Sequence, residues 1–427
     1  MKQVFIFSLL LAGSIISSAT AQRLTERKVR KMFGQSQIMQ EHFVGFILQE
    51  EGGKIVYAQH EDRYFVPASN TKLLTLYTAL NVLGDSIPAF RYEIKEDSLI
   101  IWGTGDPSFL HPKLDNGKVY DFLSNSPYRI FLAEDSPLDF EPSYWRADLA
   151  HFPIYGNMAS LSVSNSGELN VFPLGLRDFL AVDSTFQSDR FQIRRSKIGD
   201  GLTYPALKVP VDFKENVPFP ANLQAIRILL QDTLKKEVQL VKRKKHDWLQ
   251  TFYSIPSDSL YKHMMLPSDN FLAEQILLLC ASELSDTLEI KKSIEYSLEN
   301  LLQDLKSTPI WEDGSGLSRY NMFTPRSVLQ VLNKLENEIG NTERLKMLLP
   351  AGGVSGTLRT AYQLDEGQPF VWAKTGSLRN MHLQSGWLET KKGKTYRFVF
   401  MNNNFVRPTA EIRSEMVRIM TEIHDLY

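Results

Sequence analysis

The stretch PASNTKLLTLYTALNVLG, residues 67–84, decides how the rest of the chain is read. Leu73, Leu74, Tyr77, Leu80 and Leu83 recur at helical spacing, Pro67 precedes them and Gly84 supplies a stop, which predicts a mostly buried helix with Ser69 in its first turn. Side chains three apart on a helix share a face, so the amine of Lys72 can reach the Ser69 hydroxyl. It can accept the hydroxyl proton if burial or a nearby cation lowers its pKa. Ser69 is therefore a candidate nucleophile and Lys72 its general base. Alone the spacing is weak, since about two such pairs arise by chance in a chain of this size. A second pair, Ser259 and Lys262, stands beside Pro256 and shortly before Pro267 without a long apolar helix, and reads as background.

Upstream of the helix, FVGFIL and KIVYA flank Glu50-Glu51-Gly52-Gly53 and predict a β-hairpin. Downstream, the texture changes to short β-branched or aromatic runs broken by Gly, Pro, Asn and Asp, including LIIWGTGDPSF, ASLSVSNSGELNVFP and FQIRRSKI. The cluster KRKKH at 242–246 reads as a solvated loop. Beyond it DNFLAEQILLLCASEL, IKKSIEYSLENLLQDL and PRSVLQVLNKLENEI predict helices. LQSGWLE, YRFVFMNNN and a final helix from about Pro408 to Tyr427 close the chain. The terminal strands can join the hairpin in one antiparallel sheet flanked by helices. The expectation is an α/β (α+β) fold in which 22–91 and 242–427 form a discontinuous catalytic domain and 92–241 a β-rich insertion.

Composition narrows the partners. The 427 residues carry 48 Lys and Arg against 49 Asp and Glu, a net charge of -1, so nucleic acid is not expected as a partner. Lys2, the apolar run VFIFSLLLAGSII and Ala19-Thr20-Ala21 read as an export signal over residues 1–21. The apolar run is shorter than the roughly 20 residues that span a bilayer, so no stable membrane anchor is expected and the mature chain is placed, soluble, in the periplasm or another extracytoplasmic space. Cys280 is the one cysteine, within QILLLCA, and reads as a buried, inert thiol.

G-x-S-x-G, H-E-x-x-H and paired cysteines are missing from the sequence, whereas Ser268-Asp269-Asn270 and Lys374-Thr375-Gly376 are each the only match to S-x-N and K-[ST]-G. Each has a bland explanation as a helix cap or strand-end turn. Their joint order after Ser69-x-x-Lys72 favours chemistry. Ser268 can relay a proton toward a leaving group, Asn270 can hydrogen-bond a substrate amide and Lys72, and Lys374 adds positive charge that favours a neutral Lys72 and attracts a carboxylate. Gly376 lets a peptide backbone approach, and the Ser377 N–H can share an oxyanion with that of Ser69.

With these motifs, GTGDPSF at 103–109, MLPSDNFLAEQIL around Ser268, WEDGSGLSRYN from Trp311 and LPAGGVSGTLR from Leu349, the sequence resembles the D-alanyl-D-alanine carboxypeptidase and endopeptidase family, the class C low-molecular-mass penicillin-binding proteins. The resemblance implies a penicillin-recognising serine transpeptidase/β-lactamase-like fold with an inserted domain between Lys72 and Ser268. It implies Ser69 as acyl-enzyme nucleophile, Lys72 as base, Ser268 as relay, Asn270, Lys374 and Thr375 as substrate contacts, and Gly314-Ser315-Gly316 as a loop lining the cleft. Peptidoglycan stem peptides would be the substrates and β-lactam antibiotics covalent inhibitors, with neither metal nor other cofactor. Ser355 departs from the family, which commonly has Asp there, and the insertion is shorter than in larger members. A β-lactamase or esterase on the same unit, or an inactive cell-wall binding module, are the competing readings. The long insertion argues against the former and the intact Ser69 and Lys72 against the latter. Carboxypeptidase versus endopeptidase preference, third-residue specificity and oligomeric state stay open.

Overall fold

The computed structural model describes residues 23–135, 146–196, 201–285 and 287–427. The expected export signal at 1–21 lies outside the described residues. Among those described, no helix is long and apolar enough to cross a membrane.

The two ends of the chain meet in one antiparallel five-stranded sheet, in the spatial order Val371–Leu378, Met381–Glu389, Thr395–Asn403, Phe43–Glu50 and Ile55–Gln59. The hairpin and terminal strands expected from the sequence are therefore its components. Alternation along the strands sorts the two faces. Ile47, Leu383, Val399 and Met401 pack with Leu73, Leu74 and Leu76 of the helix Lys72–Val82 and with Val328 and Leu332 of the helix Pro325–Ile339. Phe46, Leu48, Phe398 and Phe400 face the other way, onto Met416, Ile419, Met420 and Ile423 of the terminal helix Thr409–Leu426. Val371–Leu378 is the edge strand. Its first half is covered, because Ala373 N donates to Pro350 O at 3.0 Å and Gly352 N to Val371 O at 2.8 Å. Among the described residues no strand lies beyond it on the outer side.

A second five-stranded sheet, of mixed direction, runs Val238–Lys242, Arg129–Glu134, Ser98–Gly103, Ser86–Lys95 and Gln250–Pro256. Two three-stranded sheets and the helices Lys118–Asn125 and Leu223–Leu234 accompany it. Phe90, Leu99, Ile101, Phe152 and Leu229 belong to a core of their own. The sheet is entered and left through neighbouring antiparallel strands, with Ser86 opposite Pro256. The limits expected at 92 and 241 fall inside Ser86–Lys95 and Val238–Lys242. Those strands carry too little alternation to be assigned to either sheet before their partners are known.

Ser259 and Lys262 lie on a nine-residue helix, Ser257–Met265, with Leu260, Tyr261 and Met264 buried and Lys262 exposed. Cys280 is fully buried in the helix Asn270–Leu284, and burial pushes its thiol well above the usual range.

Candidate active site

The nucleophile segment is a short 3-10 turn, Ala68–Thr71, that runs directly into the helix Lys72–Val82. Ala68 is held in the left-handed region at φ 44°, a strained conformation for a residue with a side chain. Its carbonyl accepts from Thr71 Oγ1 at 2.8 Å. Gly316, at φ 83°, passes so close that an added Cβ would lie 1.9 Å from that same carbonyl, so only glycine fits there. The turn leaves Ser69 half-buried at the surface while Lys72 is fully enclosed.

All three donors of the Lys72 ammonium find acceptors. Its Nζ donates to Ser69 Oγ at 3.1 Å, to Asn270 Oδ1 at 2.8 Å and to the Ser315 carbonyl at 2.7 Å. Burial lowers its pKa to about 8, against an opposing pull from Glu274, Asp269 and Asp313. An amine titrating near neutrality is suited to taking a proton from the hydroxyl it touches.

Asn270 opens the helix Asn270–Leu284, whose cap is Asp269, with Oδ1 accepting from Leu272 N at 2.9 Å. Ser268, immediately before the cap, is in the left-handed region at φ 63°. Its hydroxyl accepts from Lys374 Nζ at 2.8 Å, and the same amine donates to the Thr375 carbonyl at 2.8 Å. Lys374 is fully buried, and burial together with the charge of Lys72 holds it well below the ordinary lysine range. Two lysines thus converge from the helix and the edge strand, one bonded to Ser69 and the other to Ser268.

Lys374, Thr375, Gly376 and Ser377 lie inside the edge strand Val371–Leu378, rather than in a turn ahead of it. Thr375 Oγ1 donates to Thr357 Oγ1 at 2.7 Å. A Cβ on Gly376 would stand 2.8 Å from Pro67 O and 3.1 Å from Ser69 N, so the missing side chain lets the strand close onto the nucleophile turn. The Ser377 hydroxyl is 2.7 Å from His382 Nδ1 on the neighbouring strand. These bonds and close approaches bring Ser69, Lys72, Ser268, Asn270, Lys374, Thr375 and Gly376 together, with Ser377 next on the same strand.

Several residues that shape the cleft were missed. Glu274 accepts from the Gly314 and Ser315 N–H groups, Thr75 Oγ1 donates to Gly314 O at 2.7 Å, and Asp313 accepts from the N–H groups of Gly316 and Ser318. A signal existed for Glu274, four residues beyond Asn270 on a predicted helix and so on the same face. Ser355 Oγ accepts from Ala351 N at 3.1 Å.

A sequence model of the D-Ala-D-Ala carboxypeptidase 3 (S13) family matches residues 25–118 and 217–423. Carboxypeptidase DacB of Mycolicibacterium smegmatis is 32% identical over 162 residues, 35% of this chain and 34% of that protein, so the match spans about a third of the relative's length. A D-alanyl-D-alanine carboxypeptidase of Actinomadura sp. is 24% identical over 94% of this chain and 85% of its own. Among solved structures, penicillin-binding protein 4 of Haemophilus influenzae in complex with a β-lactam superposes with a TM-score of 0.68 at 21% identity, covering 93% of this chain and 99% of that one. That likeness establishes the fold.

Proposed function

This chain belongs to the D-Ala-D-Ala carboxypeptidase 3 (S13) family, and from that premise we propose that it is a serine-type D-Ala-D-Ala peptidase acting outside the cytoplasm on peptidoglycan stem peptides, as carboxypeptidase, endopeptidase or both. The observation that carries the reading is the 3.1 Å bond from the enclosed Lys72 amine to the Ser69 hydroxyl. In the neutral form Lys72 takes the Ser69 proton as Oγ attacks the carbonyl of the penultimate D-alanine. The oxyanion is held by the Ser69 and Ser377 N–H groups. Collapse breaks the C–N bond, the departing amine receives its proton through Ser268, and an ester on Ser69 remains. Water, deprotonated by Lys72, then releases the peptide and restores the hydroxyl.

Lys374 and Thr375 receive the terminal carboxylate, Asn270 bonds the substrate amide, and the peptide lies along the open edge of Val371–Leu378 as an added strand. A β-lactam enters the same path and stays as the ester. The inserted unit is assigned to residues 86–256, following its sheet, with the peptidase unit on either side.

Intact-mass measurement with and without benzylpenicillin tests this directly. One adduct on the wild-type chain and none on Ser69→Ala is the expected result, accompanied by D-alanine release from a pentapeptide. A folded wild-type chain that takes up no adduct and releases no D-alanine overturns it.

A further inference from the structure

Glu274 is only 3% exposed and belongs to the helix that begins at Asn270. Its Oε2 accepts from Gly314 N at 2.8 Å and its Oε1 from Ser315 N at 2.9 Å. The carbonyls of the same two residues are engaged from the nucleophile helix: Thr75 Oγ1 donates to Gly314 O and Lys72 Nζ to Ser315 O, both at 2.7 Å. The two-residue segment is thereby pinned on both sides. Gly314 is pressed against the helix, and a Cβ there would stand 2.8 Å from Ala273 O and 3.1 Å from Glu274 Oε2.

We infer that Glu274 is a positioning residue for Lys72: its two bonds fix the Ser315 carbonyl that aims the amine at Ser69, and its buried carboxylate lies directly behind that segment. The inference rests on Lys72 being the base. An ionised carboxylate accepts at both oxygens with no proton to place between them and the two N–H groups, which favours that form here. Burial, then Asp313, raise the Glu274 carboxyl above its ordinary range, and the Ser315 and Gly314 bonds and Arg146 offset that rise only in part. The charged groups acting around Lys72 are Glu274 and Asp269 from the helix, Asp313 from the loop and Lys374 from the edge strand, and Glu274 is the leading one that favours the protonated amine. This carboxylate therefore keeps the lysine from shedding its proton still lower in pH, while holding it in line.

The test is the pH profile of benzylpenicillin acylation on the full chain, wild type against Glu274→Gln, Glu274→Asp and Thr75→Val. Removing the charge lets Lys72 lose its proton more easily, so Glu274→Gln moves the acid limb down by about one pH unit. The displaced loop slows the plateau about 10- to 100-fold, as a misplaced catalytic group does. Thr75→Val loosens the same loop without touching charge and is expected to slow the plateau with the limb unmoved. Glu274→Asp keeps the charge but shortens the reach, so it slows acylation with the limb at its wild-type pH. A folded Glu274→Gln chain with a wild-type limb overturns the inference. If Glu274→Gln does not fold, a Glu274→Asp chain with a displaced limb or an unchanged rate does so instead. Failure of the wild-type chain to acylate is a different result, and it strikes the proposed function.

Discussion

Glu274 and Gln275 are neighbours in sequence, yet one helix turns the first toward Gly314 and Ser315 and the second toward Gly105 and Ala150. Gln275 is fully buried; its Nε2 donates to Gly105 O at 2.6 Å and to Ala150 O at 3.1 Å, and its Oε1 accepts from Ala150 N at 3.1 Å. The helix that carries Asn270 is thus fastened to the Gly314-Ser315 segment through one side chain and to Gly105 and Ala150 through the next.

Replacing Gln275 by Leu keeps the volume but strands two carbonyls and an N–H in a dry interface. Each unsatisfied group costs about 1–3 kcal/mol, so a loss of at least about 3 kcal/mol is expected. Urea unfolding of wild type and variant reads it through the midpoint. A difference below 1 kcal/mol would mean that the interface relaxes or admits water.

Acylation should rise with pH through the lysine transition. Lys72 must be neutral to accept the Ser69 proton, and its pKa lies at about 8. Below that value the neutral fraction falls about tenfold per pH unit, and above it the rate levels. Stopped-flow acylation by benzylpenicillin from pH 6 to 10 checks the sign. A rate that falls across the same range would remove Lys72 from the role of base.

Gly376→Ala should act on chemistry as well as on folding. The added methyl group would press on Pro67 O and Ser69 N at 2.8 and 3.1 Å, moving one oxyanion donor away from the strand that carries the other. Loss of such a donor costs about 100- to 1,000-fold in rate. The expected variant melts below wild type and acylates slowly at temperatures where it is fully folded, whereas a wild-type rate would show that the strand can retreat without disturbing the hole.

How much of this was legible before the structure depends on which signals are local. Ser69, Lys72, Ser268, Asn270 and Lys374 announce themselves through short spacings, and the hairpin and terminal strands through alternation. Glu274 offered only its helical spacing from Asn270, and Gln275 and Asp313 offered nothing, because the partners that give all three their places are backbone groups of Gly314, Ala150 and Gly316, and backbone groups leave no trace in residue type. The pairing that encloses the second sheet was hidden for a related reason. Ser86–Lys95 and Gln250–Pro256 pair with each other across the whole insertion, and a pairing of that sequence separation cannot be seen from either strand alone.

His382 gives a pH-dependent stability that can be separated from catalysis. It is 2% exposed, its Nδ1 meets Ser377 Oγ, and its Nε2 is buried with no hydrogen-bond partner among the described residues. Desolvation, helped by Arg413, lowers its pKa to about 4. An unfolded histidine titrates near 6.5, so between that pH and 4 the unfolded chain takes up a proton that the folded chain refuses. The corresponding stability is fully present above 6.5 and drains away as pH falls toward 4, by about 1.4 kcal/mol per unit and about 3 kcal/mol in all. Other acidic groups titrate in the same window, so the informative quantity is the difference between wild type and His382→Gln. Denaturant unfolding at pH 7.5 and 4.5 should show a smaller acid loss in the variant. Equal losses in both would mean that His382 takes its proton in place, with Ser377 and the edge strand yielding to accommodate it.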